Sequence, residues 1–150
     1  MTLGLGSSAR PEPRFVARVL DWGSTWMLAR LALVSAYLLG GIVKLADFPA
    51  AIAEQEHFST RPPALWAALT IAVELLGPLL ILAGRWVWLG AGMLGVFTML
   101  AAFTANAFWT MQGEARFMAT NAFFEHLGLV GGFVLVALAD RQRRKNPDER

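Results

Sequence analysis

Four apolar runs of about 20 residues take up most of this chain. That is the length at which a helix crosses a hydrocarbon layer roughly 30 Å thick. Inside such a layer no water is available to the backbone, so each run must satisfy its own N–H and C=O groups as a helix. The runs cover residues 26–45, 64–84, 86–109 and 119–139. They predict an all-α fold, an integral membrane four-helix bundle over 26–139, with a tail at 1–25 and a basic tail at 140–150.

The punctuation between the runs agrees. Asp47-Phe48-Pro49 stops the first, Pro62-Pro63 opens the second, and Gly84-Arg85 closes it. Trp26, Trp66, Trp86, Trp88 and Trp109 fall near the ends, where aromatic belts form. The one longer link, 46–63, sets Phe48 and Ile52 apart from Glu54, Gln55 and Glu56, which predicts a short interfacial helix between the first two spans. In the N-terminal tail Phe15, Val19 and Trp22 recur at i, i+4 and i+7 beside Arg14 and Arg18, the pattern of a helix lying on an anionic leaflet.

Orientation follows from the cations. With both termini cytoplasmic, that side holds Arg10, Arg14, Arg18, Arg85, Arg141, Arg143, Arg144, Lys145 and Arg150, and the other holds Arg61 and Arg116. Nine against two fits a plasma (inner) membrane protein with its termini inside. The first run is too long for the apolar region of a signal peptide and lacks a small-residue cleavage site after it, so it is expected to stay in the membrane. The same clustering at the chain ends argues against nucleic acid as the partner implied by a pI of 9.7. Hydrophobic residues at 56% and charged ones at 16% lie on the membrane side of the usual figures of about 45–50% and about 25%.

Each span carries a polar intruder, and ionisable groups within spans are rare and usually functional. Glu74 lies ten residues from either end of the second run, which has no other charge. A charge at that depth costs roughly 2.5–3.5 kcal/mol on insertion scales. Arg30 and Lys44, 14 residues apart in the first span, would each sit about 10 Å from the midplane at 1.5 Å per residue. Glu74 is therefore expected to rest protonated or water-linked rather than in an ion pair.

At 100° per residue, Arg30, Tyr37, Gly41 and Lys44 share one stripe, Thr70, Glu74 and Pro78 another, and Asn121, Glu125, Gly128 and Gly132 a third. Small residues Gly92, Gly95, Thr98, Ala102 and Ala105 mark close packing in the third span. By depth, Lys44, Asn106, Asn121, Glu125 and His126 would line a ligand- or proton-binding pocket with Glu74 as its floor, Arg30 standing at the other end; the same residues could instead pair with one another or snorkel. No catalytic set is visible. Two histidines without metal-binding spacing make a weak metal signal. With no cysteine, neither a thiolate metal site nor an iron–sulfur cluster can form within the chain, and a second haem ligand beside His126 is not identifiable.

The chain resembles the DoxX family of small four-span membrane proteins. The resemblance lies in Gly40–Leu45 (GGIVKL) after an entry Arg30, Val73–Gly77 (VELLG), Leu82–Arg85 (LAGR), Phe108-Trp109 and Phe123–Gly132 (FFEHLGLVGG). It covers about residues 26 to 139, departing where many relatives carry His at Asn106 and Lys-Asn at Glu125-His126. The resemblance implies an inner-membrane accessory subunit associated with a quinone-linked redox system, rather than a self-sufficient enzyme. Quinone would be a guest and no cofactor would be held by ligation; membrane lipids and an oxidoreductase subunit would be the partners. A carrier or binder of a small apolar or weakly acidic solute or lipid, or a purely structural membrane anchor, is the alternative.

Overall fold

The computed structural model describes residues 12–145; the expectations for residues 1–11 and for the last residues, Arg10 and Arg150 included, lie outside them. Among the described residues the fold is all-helical: α1 (Arg14–Leu20), α2 (Thr25–Ala46), α3 (Phe48–His57), α4 (Pro63–Leu82), α5 (Val87–Ala105), a 3₁₀ turn at Phe108–Thr110, and α6 (Gly113–Lys145). Four of these, α2, α4, α5 with its following turn, and α6, are long and apolar enough to cross a membrane. Their large side chains face outwards, as in Leu39, Leu76, Leu79, Val96, Leu100 and Leu135. A lipid-solvated bundle has to present such a surface, since lipid tails are as apolar as leucine.

Local chemistry sets the boundaries. Asp47 ends α2 and caps α3, its side chain accepting from the Ala50 N–H at 3.1 Å, which satisfies a donor the new helix leaves free. Pro63 starts α4, where its missing N–H costs nothing. Gly84 leaves α4 at φ +66°, the left-handed turn that a Cβ would oppose. The last helix exceeds the expected span. It runs 33 residues to Lys145, so Arg141–Lys145 form helical turns where the sequence suggested a tail.

Successive spans are antiparallel neighbours: α2 packs on α4, α4 on α5 and α5 on α6, while α6 touches α2 only lightly and α3 lies against α4 and α2. Glycines set the closeness. A Cβ on Gly90 would stand 2.6 Å from the Gly77 carbonyl oxygen, and one on Gly77 would stand 2.7 Å from Leu94. Gly92 and Gly95, read from the sequence as close-packing residues, have nothing within 4 Å of a Cβ position. The helix contact runs along the neighbouring face instead. The core joins Val34, Tyr37, Ile81, Val87, Ala91, Leu94 and Phe133, and a smaller cluster of Ala51, Ala67 and Ile71 seats α3 on α4. At its centre the Tyr37 and Thr98 hydroxyls lie 2.5 Å apart, and Thr98 donates to the Leu94 carbonyl at 2.6 Å. Each buried hydroxyl is thereby satisfied without water.

Candidate functional site

The α2 stripe is buried as its periodicity requires: Arg30, Val34, Tyr37 and Gly41 face inwards with Lys44 half-buried above them. On α4 the inward face holds Ala67, Thr70, Ile71, Glu74, Gly77, Pro78 and Ile81. Pro78 adds a further effect. It has no N–H to offer the Glu74 carbonyl four residues back, so α4 lacks one regular backbone hydrogen bond beside the carboxylate.

Glu74 meets Lys44. The ammonium donates to both carboxylate oxygens, at 3.1 and 3.2 Å, and lies 3.8 Å from Glu54 Oε2 of α3. The Glu74 side chain is 8% exposed, that of Lys44 18% and that of Glu54 46%, so the three form a line from the interior to the rim. The sequence expectation that Glu74 stays out of an ion pair is corrected here, because it assumed that α2 and α4 share a midplane. Gly41 faces the Glu74 Cβ, 3.1 Å from a Cβ position, and Gly41 is only five residues from the end of α2, about 7.5 Å. Glu74 is eleven residues from the start of α4, about 16 Å. Thus α4 stands proud of α2 at this end, α3 fills the step, and the middle of one helix lies beside the last turns of the other.

The remaining polar residues are not gathered around this pair. His126 Nδ1 lies 2.6 Å from the Ala122 carbonyl of its own helix. Asn121 and Glu125 are exposed, as is Gly128, while Asn106 is half-buried at the C-terminus of α5. Between α5 and α6 that level is filled by aromatic contacts among Phe103, Phe108, Trp109 and Phe123, edge-to-face but for the tilted Phe103–Trp109 pair, with centroids 5.2–6.0 Å apart. Among the described residues no hydrogen bond or ion pair links Asn106, Asn121, Glu125 or His126 to Lys44 or Glu74. The single pocket expected from depth alone is divided, because α6 turns Ala119 and Phe133 inwards rather than the Asn121–Glu125 stripe.

Arg30 serves the opposite end. Its guanidinium donates to the Ile81 carbonyl at 3.0 Å and to Asp140 at 3.1 Å, and it lies 4.5 Å from the centroid of Trp26. Arg144 donates to the other Asp140 oxygen and to the Gly84 carbonyl, both at 2.8 Å. These bonds add a second donor to the Ile81 carbonyl, which also accepts the Gly84 N–H, and occupy the Gly84 carbonyl beyond the end of α4, and they tie α2, α4 and α6 together. Sequence reading missed Asp140 and gave Glu54 no place beside Lys44. Signals were present: Asp140 is a lone acid closing the last apolar run, four residues before Arg144, and Glu54 lies on the predicted cap helix.

Fold and charge placement together define a multi-pass membrane protein with an ion pair set inside the bundle. Residues 25–107 match the DoxX family pattern, and the chain belongs to that family. The match contains Arg30, Lys44, Glu54, Glu74 and Asn106 and stops short of Asn121, Glu125 and His126. The chain is also similar to inner membrane protein YphA of Escherichia coli (strain K12), at 23% identity over 125 residues, covering 81% of this chain and 89% of that protein. With four membrane-length helices, it is an inner-membrane protein of the same kind. No solved structure matches it.

Proposed function

We propose that this DoxX protein is an inner-membrane accessory subunit of a quinone-linked redox system, with both termini cytoplasmic, and that Glu74, Lys44 and Glu54 form its proton- and headgroup-binding site. One observation carries the proposal: a single ammonium serves two carboxylates, one inside the bundle and one half exposed at its rim. One cation cannot neutralise two anions, so the trio is one proton short of neutrality where solvation is poor and charge is costly. Lys44 sits within reach of both carboxylates, so a small swing of its flexible stem towards Glu54 uncovers Glu74. Proton exchange between rim and interior is the chemistry this arrangement offers.

Lys44 and Glu74 supply the donor and the acceptor that a quinone headgroup would use. A Cβ on Gly40 would lie 3.4 Å from both Glu74 carboxylate oxygens, so the bare glycine lets α2 pack against the carboxylate, which stays 8% exposed. Lys44 has three donors, enough for Glu74 and for a ligand carbonyl. When bound, a quinone supplies two-electron, two-proton chemistry, its electrons exchanged with a partner oxidoreductase. Lys44 would orient a headgroup carbonyl, Glu74 would hold or release a proton, and Glu54 would connect the site to water.

Purification of the full chain from its own membrane in mild detergent tests this. An oxidoreductase is expected to copurify, and quinone turnover by that complex is expected to fall at least tenfold on Glu74→Gln with the protein level unchanged. Bound lipid or solute without an oxidoreductase would replace the proposal with a carrier or binder; no partner and no ligand would leave a structural anchor. For orientation, a reporter active only in the cytoplasm is expected to work after Arg150 and to be silent near Gln55, and the reverse would overturn it.

A further inference from the structure

Along α6, Val130, Val134, Ala137 and Leu138 line one wall of a cavity of about 700 Å³ whose other wall is Ala91, Gly92, Gly95 and Val96 of α5. The volume is that of a small-molecule site. It is open because of the glycines: nothing lies within 4 Å of a Cβ position at Gly92 or Gly95, so α5 and α6 leave a notch there while they pack elsewhere. The groove belongs to the lipid-facing half of a membrane-spanning bundle. Water does not fill an apolar notch at that depth, and an empty one would forfeit its dispersion contacts.

The mouth of this groove is basic. Arg141, Arg144 and Lys145 border it together with Asp140 and Trp88. Asp140 and Arg144 are engaged with each other, Asp140 with Arg30 and Arg144 with the Gly84 carbonyl. Arg141 and Lys145 are different. They are exposed, one turn apart on the helix face that continues Val134 and Leu138, and among the described residues neither makes an ion pair. An apolar slot about 16 Å long at 1.5 Å per residue from Val130 to Arg141, ending in two free cations beside an exposed tryptophan, matches one kind of molecule. Acyl chains fill the slot, a phosphate meets the cations and the indole sits at headgroup level.

We propose that the α5–α6 groove is a binding site for one anionic phospholipid, with an acyl chain against Gly92 and Gly95 and the phosphate held by Arg141 and Lys145. A second copy of the chain fits less well, because its matching face would bring Arg141 and Lys145 towards like charges. The site stands apart from Glu74 and Lys44 and does not depend on the redox proposal.

The test uses the full chain in nanodiscs containing equal phosphatidylglycerol and phosphatidylcholine, with retained lipid measured by native mass spectrometry after extraction. About one phosphatidylglycerol per chain is expected, in at least fivefold preference over phosphatidylcholine. The surface variant Arg141→Gln/Lys145→Gln is expected to erase the preference while unfolding temperature in detergent stays the same. Gly95→Leu, which fills the notch without touching a charge, is expected to lower retention of both lipids. Should that variant not fold, a photoreactive acyl chain on phosphatidylglycerol gives the same answer by labelling peptides that contain Gly92–Val96 in the unaltered protein. Equal retention of the two lipids, an unchanged preference in the double variant, labelling confined to other helices, or a lipid-free dimer buried through α5 and α6 would each overturn the proposal.

Discussion

Each end of the bundle holds a network of three charged side chains, and the two networks are built in opposite senses. At the end bearing α1 and the C-terminus of α6, two guanidiniums share one carboxylate, and each also donates to one backbone carbonyl, Arg30 to Ile81 and Arg144 to Gly84. At the end capped by α3, one ammonium shares two carboxylates. A surplus arginine cannot shed its proton near neutral pH, so the first end has a fixed charge and can only act as a clamp. On the proposed function a surplus carboxylate takes up a proton, which would let the second end change its charge without changing its fold. Placement reinforces the contrast: the Arg30 side chain is 5% exposed and bonds to backbone as well as to Asp140, whereas Lys44 is 18% exposed and bonds to side chains alone.

If that contrast holds, the strongest effect comes from breaking the clamp. Asp140→Ala leaves the buried Arg30 without its carboxylate and frees Arg144 as well, and removal of one partner of a buried pair costs about 3–5 kcal/mol. A large drop in unfolding temperature in detergent and in membrane accumulation is the expected result; an unaltered protein would show that the terminal end is no clamp. Next in size is Gly41→Ala. Its Cβ would stand 2.8 Å from Leu75 and 3.1 Å from the Glu74 Cβ, and overpacking of this kind costs about 1–3 kcal/mol. Because it pushes α2 from α4 at the level of the ion pair, it is expected to reduce activity of the assembled complex more than Gly92→Ala, where the Cβ meets open space.

Glu74→Gln is expected to cost about 1 kcal/mol or less, since the amide still accepts a hydrogen bond from Lys44, which keeps Glu54 and can extend towards the rim. Failure of Glu74→Gln to accumulate, with rescue by Lys44→Met, would make the capped end a second clamp and end the comparison. The smallest change is Glu54→Gln. A half-exposed pair at 3.8 Å contributes about 0–1 kcal/mol, so stability is expected to hold within error, while any proton-linked activity slows if Glu54 connects Glu74 to water.

Much of the fold was readable because transfer from water to lipid is a property of single segments. Span number, the cap helix at Phe48–His57 and the inward faces of α2 and α4 follow from run length, Asp47 with Pro49, and the placing of Arg30, Tyr37, Thr70 and Glu74 at helical spacing. The face of α6 was misread for a physical reason. Asn121, Glu125 and Gly128 do lie one or two turns apart, but polarity suggests an inward face only when polar residues outweigh the packing of large ones. Here Phe123 and Phe133 pack inwards against Phe103, Phe108 and Tyr37.

The sequence by itself determined that this chain spans a membrane as four helices and that acids and bases would have to be accommodated among them, since both follow from the cost of placing unpaired backbone or charge in hydrocarbon. Which acid meets which base was decided only in three dimensions. Lys44 reaches Glu74 because Gly41 against Leu75 sets the axial offset of α2 and α4, and Arg30 reaches Asp140 where α2 and α6 meet, with Gly132 against Leu33. That offset arises from the fit of two surfaces, and a fit between surfaces is not a property of either helix alone.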